Sequence, residues 1–278
     1  MYIFIKNNRP KDIGFIPFCA LSEAKGMVIK MKSNVKVFLR TLAIIIVSAM
    51  LVLTSASCIR FTGLRGSGNV VTEERSVSGF DKVAISAGMN LYLEQGSKEY
   101  LKIEAEDNII RNITTEVNGG KLVVKFRSLL GGVSAGEPIN VYLTVINLKE
   151  LDASSGTSIS SKEINTDSLK IDISSGAAGE MAVRANSIDV NLSSGSTLQI
   201  SGIAESQKVN LSSGVIYRAA DLVSKNVKID VSSGATAEVS ASDNLDVSIS
   251  SGGSVEYSGI PAIVSNISSG GSLKSVGN

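Results

Sequence analysis

"KIDISSGAAGEMAV", residues 170–183, places apolar residues at alternate positions on both sides of a turn of small residues. Ile171 and Ile173 precede Ser174-Ser175-Gly176, and Gly179 and Met181 follow it. Alternation of this kind is strand periodicity, because successive side chains of an extended chain point to opposite faces. The turn then recurs. Its glycines are Gly156, Gly176, Gly195, Gly214, Gly234, Gly252 and Gly270, at spacings of 20, 19, 19, 20, 18 and 18 residues. The residue before each turn is Ala153, Ile173, Leu192, Leu211, Val231, Ile249 or Ile267, all apolar. Two positions earlier stand Leu151, Ile171, Val190, Val209, Ile229, Val247 and Ser265.

One such unit can neither bury its apolar residues nor pair its backbone alone. Stacking unit on unit in parallel register does both, so a fixed period near twenty predicts a solenoid. The expected fold is all-β: a right-handed parallel β-helix of 18–20 residues per coil, with residues 148–278 as the regular coils. Each coil reads strand, Ser-Ser-Gly corner, strand and short return. The glycine permits a sharp corner through positive φ, and the serines are expected to hydrogen-bond along the stack. A leucine-rich repeat needs a Leu-x-x-Leu-x-Leu frame, a left-handed β-helix a six-residue sub-period, and a calcium nonapeptide Gly-Gly-x-Gly-x-Asp; none is present.

The outward positions carry their own order. Four residues before the first serine stand Glu150, Lys170, Asp189, Lys208, Lys228, Asp246 and Val264, several in alternating sign. Two before it stand Asp152, Asp172, Asn191, Asn210, Asp230, Ser248 and Asn266. This second column has two readings. One is an Asp/Asn ladder that holds coils in register. The other is a paired-carboxylate or hard-cation site at Asp152 and Asp172, as a carbohydrate-active enzyme would need.

Residues 66–147 are strand-rich but less even, and are read as modified first coils and a cap. "DKVAISAGMNLYLEQG" (81–96) fits the coil template, with Ser86-Ala87-Gly88 as its corner. Asn118-Gly119-Gly120 reads as a hairpin turn, Asp107 to Arg111 as a short helical or looped crossover, and residues 128–138 as a mobile loop.

The beginning of the chain has the order of a secretory leader. Lys30, Lys32, Lys36 and Arg40 precede the apolar run "TLAIIIVSAMLVLTSAS" (41–57), and Cys58 follows. Basic lead, apolar core and small residues are the parts of a signal peptide; uncleaved, the same run would be a membrane anchor. "SASC" (55–58) resembles a lipobox with Ser55 where leucine is usual, which implies lipidation of Cys58. The expected organisation is therefore a leader over 1–57, with 1–26 a spurious extension and 27–57 the signal peptide, then a tether over 58–65. Of the 27 basic and 26 acidic residues, 19 and 24 lie beyond residue 57. That acidic balance argues against a nucleic-acid partner. Cys19 falls in the leader, so Cys58 is left without an intrachain disulfide partner.

"GSGNVVTEERSVSGFDKVAISAGMNLYLEQG" (66–96), followed by "VNGGKLVVKF" (117–126), resembles the opening of bacterial envelope proteins of the autotransporter adhesin, head GIN domain family. Gly88-Met89-Asn90 stands where that family has Gly-Ile-Asn. The resemblance extends over 66–278. It implies a β-helical fold and a cell-envelope or secreted home, and no established activity or binding residues.

The residues present support little chemistry. There is no histidine, which removes Ser-His-Asp triads and histidine-ligated zinc. Gly-rich pieces lack the strand–loop–helix setting of a phosphate loop. There is no tryptophan and little else aromatic, so a sugar-stacking groove is poorly provided. Arg184 and Arg218 are the arginines that could assist a lyase. No catalytic residue, metal or cofactor is assigned. The expected function is a non-catalytic adhesion or interaction module, exported as an outer-membrane lipoprotein facing the periplasm or the cell surface. Its partner would be a protein or glycan of the envelope, with an end-to-end homodimer as a further expectation. The alternatives are a polysaccharide lyase or hydrolase acting through Asp152/Asp172, and a carrier of lipid or a small apolar ligand.

Overall fold

Each Ser-Ser-Gly puts two consecutive residues into the left-handed region. The second serine of every corner has φ between 49 and 63°, as at Ser269 and Ser213, and the following glycine between 68 and 78°, as at Gly214 and Gly270. Glycine takes this conformation at no steric cost, whereas serine does so at about 1–2 kcal/mol. A main-chain lock accompanies the strain. The Gly176 N–H donates to the Ser194 carbonyl one coil on at 3.1 Å, and the same bond repeats from Gly156 to Ser175 and from Gly195 to Ser213. Of the serine hydroxyls expected to link the stack, Ser232 reaches the Leu211 carbonyl at 3.5 Å; the backbone does most of that work.

This is a computed structural model, and it describes residues 63–127 and 132–277. The leader, Cys58 and the first part of the expected loop (128–131) lie outside the described residues. In chain order the elements are β1 (Leu64–Arg65), β2 (Val70–Arg75), β3 (Lys82–Ile85), β4 (Asn90–Gln95), β5 (Tyr100–Glu106), α1 (Asp107–Ile110), β6 (Ile113–Asn118), β7 (Lys121–Phe126), β8 (Val133–Ser134) and β9 (Asn140–Val145). The regular coils follow as β10 (Glu150–Ala153), β11 (Ser158–Ile173), β12 (Ala178–Leu192), β13 (Thr197–Leu211), β14 (Ile216–Val231), β15 (Thr236–Ile249), β16 (Ser254–Ser258), β17 (Ala262–Ile267) and β18 (Ser272–Ser275).

The regular coils are a parallel β-solenoid whose strands before each corner are in unbroken register. Leu151 pairs with Ile171, Ile171 with Val190, Val190 with Val209, Val209 with Ile229, and Ile229 with Val247. All of these side chains are buried. The short return of the sequence reading is strand as well: β11 to β15 run 14 to 16 residues from one corner to the next. Bends come from register shifts, between Ser160 and Glu163, Gln199 and Gly202, and Ala219 and Val223. An extra residue at such a point turns the strand and moves the alternation by one. In β14 the inward set therefore passes from Tyr217 and Ala219 to Leu222 and Ser224, then to Val227 and Ile229. The polar members inside pair with each other: the Tyr217 hydroxyl donates to Gln207 Oε1 at 2.9 Å, and Gln207 Nε2 to Ser224 Oγ at 2.6 Å. Burial holds the Tyr217 phenol far above its ordinary range.

Residues 81–96 form the first coil. β3 lies parallel to β10 and β4 to β11, and the Gly88 N–H meets the Ser155 carbonyl at 2.9 Å. Beyond it, out of sequence order, lie β7 against β3 and β9 against β4. That end is then finished by antiparallel strands, β6 beside β7, and β5 beside β9 with β2 beside β5. The hairpin turn at Gly119-Gly120 and the short helix α1 stand where the sequence puts them. The region read as a mobile loop contains a strand, β8, paired with β1; Leu64 and Arg65 of β1 fall in the segment read as a tether.

Candidate functional site

The outward column of the regular coils is in register along its whole length. Asp152 pairs with Asp172, then Asn191, Asn210, Asp230, Ser248 and Asn266 follow in sequence. With the first serines of the corners, the part from Asp172 to Asn266 borders an open groove of about 590 Å³. Five steps of about 4.8 Å between its six rungs make this a trough roughly 24 Å long.

The ladder divides into two parts. In its first half the side chains hold one another: Asn191 Nδ2 donates to Asp172 Oδ1 at 2.7 Å, and Asn210 Nδ2 to Asn191 Oδ1 at 2.8 Å. In its second half, at Asp230, Ser248 and Asn266, the described residues provide no side-chain hydrogen bond. A repeat of amide and carboxylate groups at strand spacing can offer hydrogen bonds to a long polar chain. The carboxylates that border the groove, Asp172 and Asp230, stand three coils apart, roughly 14 Å at strand spacing.

The strongest acidic cluster lies at the first end of the column. Oxygens of Glu150, Asp152 and Asp172 come within 4.8 Å of one another, a spacing that suits a divalent cation. Lys121 is placed among them instead, with Nζ 2.6 Å from Glu150 and 2.7 Å from Asp152, while Lys170 pairs with Asp172. Lys121 reaches this point because β7 lies two strands from β10, with Lys121, Lys82 and Glu150 in one row and Asp152 two residues further along β10. The hydrogen bonds it donates to Asp152 and then Glu150 hold its ammonium charged well above the ordinary lysine range. The hydrogen bond from Lys121 in turn holds the Glu150 carboxyl below its ordinary value. Asp152 Oδ1 is buried with no hydrogen-bond partner. The two aspartates are neighbours, as the sequence implies, but each carries its own lysine, and neither is left as a free acid–base pair.

Sequence reasoning missed Lys121, which belongs to a hairpin and not to a coil; only the stacking of β7 under β3 reveals it. The neighbouring charge column is as read from the sequence: Lys208 stands 3.8 Å from Asp189, and Lys228 2.9 Å from Asp246. Arg184 is exposed, 3.7 Å from Glu163, and Arg218 is exposed in β14. Neither approaches the Asp152/Asp172 pair in the ladder register. The eight corner glycines form one column from Gly88 to Gly270, all with positive φ. Cys58 lies outside the described residues.

Residues 79–261 match a family model described as "Putative auto-transporter adhesin, head GIN domain". No curated protein matches the chain. Among solved structures, it is similar to a "putative adhesin" from Bacteroides fragilis, with 19% identity over 77% of this chain and 100% of that one and a TM-score of 0.71. It is also similar to a "putative lipid binding protein" from Parabacteroides distasonis, with 20% identity, 77% and 99% coverage and a TM-score of 0.64. A "putative adhesin" from Parabacteroides merdae has 17% identity, 77% and 98% coverage and a TM-score of 0.63. At these identities the structural likeness shows the β-solenoid fold.

Proposed function

From its membership of the auto-transporter adhesin, head GIN domain family, to which the chain belongs, we propose that this is an exported, lipid-anchored envelope protein that works as a non-catalytic adhesion module. The leader and Cys58 supply the anchor, and the rigid solenoid presents its outward columns to a protein or glycan of the envelope, or to a second copy meeting it end to end. The observation that carries the non-catalytic part is the pairing at the acidic cluster: Lys121 and Lys170 occupy the carboxylates an enzyme would need. Luminal carriage of lipid is disfavoured because the inward positions of the coils are filled and buried, from Leu151 to Val247.

The test is fractionation and adhesion of cells expressing the full-length chain. Wild-type protein is expected in the membrane fraction, labelled by radioactive fatty acid, and Cys58→Ala is expected to leave that fraction and to abolish cell adhesion to a coated surface. A wild-type protein that takes up no label removes the anchor. A polysaccharide-degrading activity that disappears in Asp172→Ala overturns the non-catalytic reading.

A further inference from the structure

We propose that the outer face of the first coils carries a stacking slot for a pyranose ring of a glycan, with Tyr92 as its platform and Ser160 as its floor. The inference deepens the adhesion reading and rests on it for its biological setting; the physical claim stands on a different face of the molecule from the Asp/Asn ladder.

The slot is a consequence of register. Across the outer face run Glu74, Lys102, Tyr142, Tyr92, Ser160 and Glu180, each directly opposite the next on β2, β5, β9, β4, β11 and β12. The rings of Tyr92 and Tyr142 are stacked, 5.0 Å between centroids and 15° from parallel. The ammonium of Lys102 stands 4.2 Å from the centroid of the Tyr142 ring, as a cation–π contact. Tyr142 thus has a ring on one side and a cation on the strand at its other side. Tyr92 has Tyr142 on one side only. On the other, the column drops to a serine, and the next long side chain, Glu180, is two strands away, about 9.6 Å at ordinary strand spacing.

A six-membered ring laid over Ser160 would sit about 4.8 Å from Tyr92, and so continue the stack that Tyr142 begins. A concavity of about 440 Å³ runs along this face from Tyr100 and Lys102, past Tyr142 and Tyr92, to Ser160 and Lys162, the size of a small-ligand site. Tyr92 is 43% exposed and Tyr100 38% exposed, the most exposed aromatic side chains among the described residues.

The polar groups at its edge match hydroxyls of both senses. Lys162 Nζ and Glu94 Oε2 are 2.7 Å apart, one donating and one accepting. Thr144 donates to Glu94 at 3.3 Å, and the Tyr100 hydroxyl donates to Glu74 at 2.7 Å, leaving its oxygen free to accept. Apolar C–H face on an aromatic ring, with a balanced donor and acceptor rim, is the chemistry that recognises an uncharged sugar. Three of the six tyrosines of the chain meet on this one face, a clustering that composition does not reveal.

The experiment is saturation-transfer NMR on the full-length protein with methyl pyranosides of glucose, galactose, mannose, fucose and N-acetylglucosamine, and with indole as the aromatic comparison. At least one pyranoside is expected to receive saturation on its C–H face. Tyr92→Ala is expected to weaken it roughly ten-fold while Tyr92→Phe retains it. Ser160→Tyr, which extends the ring stack and fills the slot, is expected to abolish it with an unchanged circular dichroism spectrum. Binding that survives Tyr92→Ala or Ser160→Tyr, indole binding without any pyranoside, or no pyranoside signal at all overturns the slot. A pyranoside signal in a protein that fails the adhesion assay leaves the slot standing and removes the adhesion reading, so the two failures are separate.

Discussion

At one end of the solenoid the last parallel strands, β7 and β9, are flanked by the antiparallel strands β6 and β5. At the other, β17 and β18 have no strand beyond them among the described residues. The interior follows the same division. Phe80, Ile109, Ile110 and Ile113 are buried under the first end, whereas Ile263 and Ile267, in register with buried Leu245 and Ile249, are 41% and 43% exposed at the second. Side chains tie the first end further. Buried Glu106 accepts the N–H of Gly68 at 2.7 Å and of Gly136 at 2.9 Å, and Arg75 donates to the carbonyls of Ile113 and Ile110 at 2.7 and 3.0 Å. Reversing strand direction ends a parallel stack, because another coil can no longer be added in the same register. A parallel edge kept open preserves the template, with the exposed backbone groups that make an edge available to a partner. The lesson is that a repeat specifies its own continuation, and stopping it takes residues that break the repeat.

The largest test of this contrast places a charge at an inward position of the same strand column, one in each setting. Ile229 is fully buried in β14, with a coil on either side, while Ile263 in β17 has one. In a stack of coils each unit depends on its neighbours. Ile229→Asp is expected to cost about 4–5 kcal/mol or more, since an unpaired carboxylate would be buried. Ile263→Asp is expected to cost less than about 1 kcal/mol. Guanidinium unfolding followed by circular dichroism compares the two; equal midpoints would show that the ends are not different.

Much of this contrast could be anticipated from sequence, and the reasons are local. The corner column and inward residues such as Ile171 and Val190 are legible because Ser-Ser-Gly marks the register every nineteen residues or so. The last coil's departure is also in the sequence, as Ser265 where every other coil has a large apolar residue. The return strands are not legible, because bulges such as that between Ala219 and Val223 shift the alternation, and because inward Gln207 and Ser224 read as surface residues until their mutual hydrogen bond is seen. The closed end is hidden for another reason. Its pairings join residues as far apart as Arg75 and Leu101, or Tyr92 and Tyr142, and no period links them. The ladder half of the candidate site was therefore readable, while Lys121 and the tyrosine face depend on coils stacked out of chain order.

A second test uses one local clash at two places. A Cβ on Gly202 would lie 2.0 Å from the Val183 carbonyl oxygen, and one on Gly259 2.0 Å from that of Ala241; their φ values are +117 and +98°. Backbone must move in both cases. Around Gly202 it is held by β12 below and β14 above, whereas Gly259 is in the turn after β16, near the open end. Gly202→Ala is expected to cost roughly 3 kcal/mol and Gly259→Ala roughly 1 kcal/mol. The same cost at both positions would mean that the last coil is as firmly held as the middle of the stack.

The smallest effect comes from one ion pair at each end, and pH identifies it. Lys121 stands 2.6 Å from Glu150 with side chains 30% and 20% exposed; Lys274 stands 3.0 Å from Glu256 with side chains 66% and 41% exposed. Glu150 titrates below its ordinary value of 4.5 in the folded protein. Its contribution to stability is therefore complete above 4.5 and is lost as pH falls through the lowered folded value. Lys121 titrates above its ordinary 10.5, so its contribution is complete below 10.5 and is lost as pH rises through the raised folded value. The pair acts fully between these limits. Lys121→Met is expected to lower stability by about 1 kcal/mol at pH 7, with the loss shrinking as Glu150 protonates in acid. Lys274→Met is expected to change the unfolding midpoint by no more than the scatter between repeats at either pH, because water screens an exposed pair. A loss at Lys121 that persists unchanged in acid would assign it to packing, and a matching loss at Lys274 would show that the open end is held by charge as firmly as the closed one.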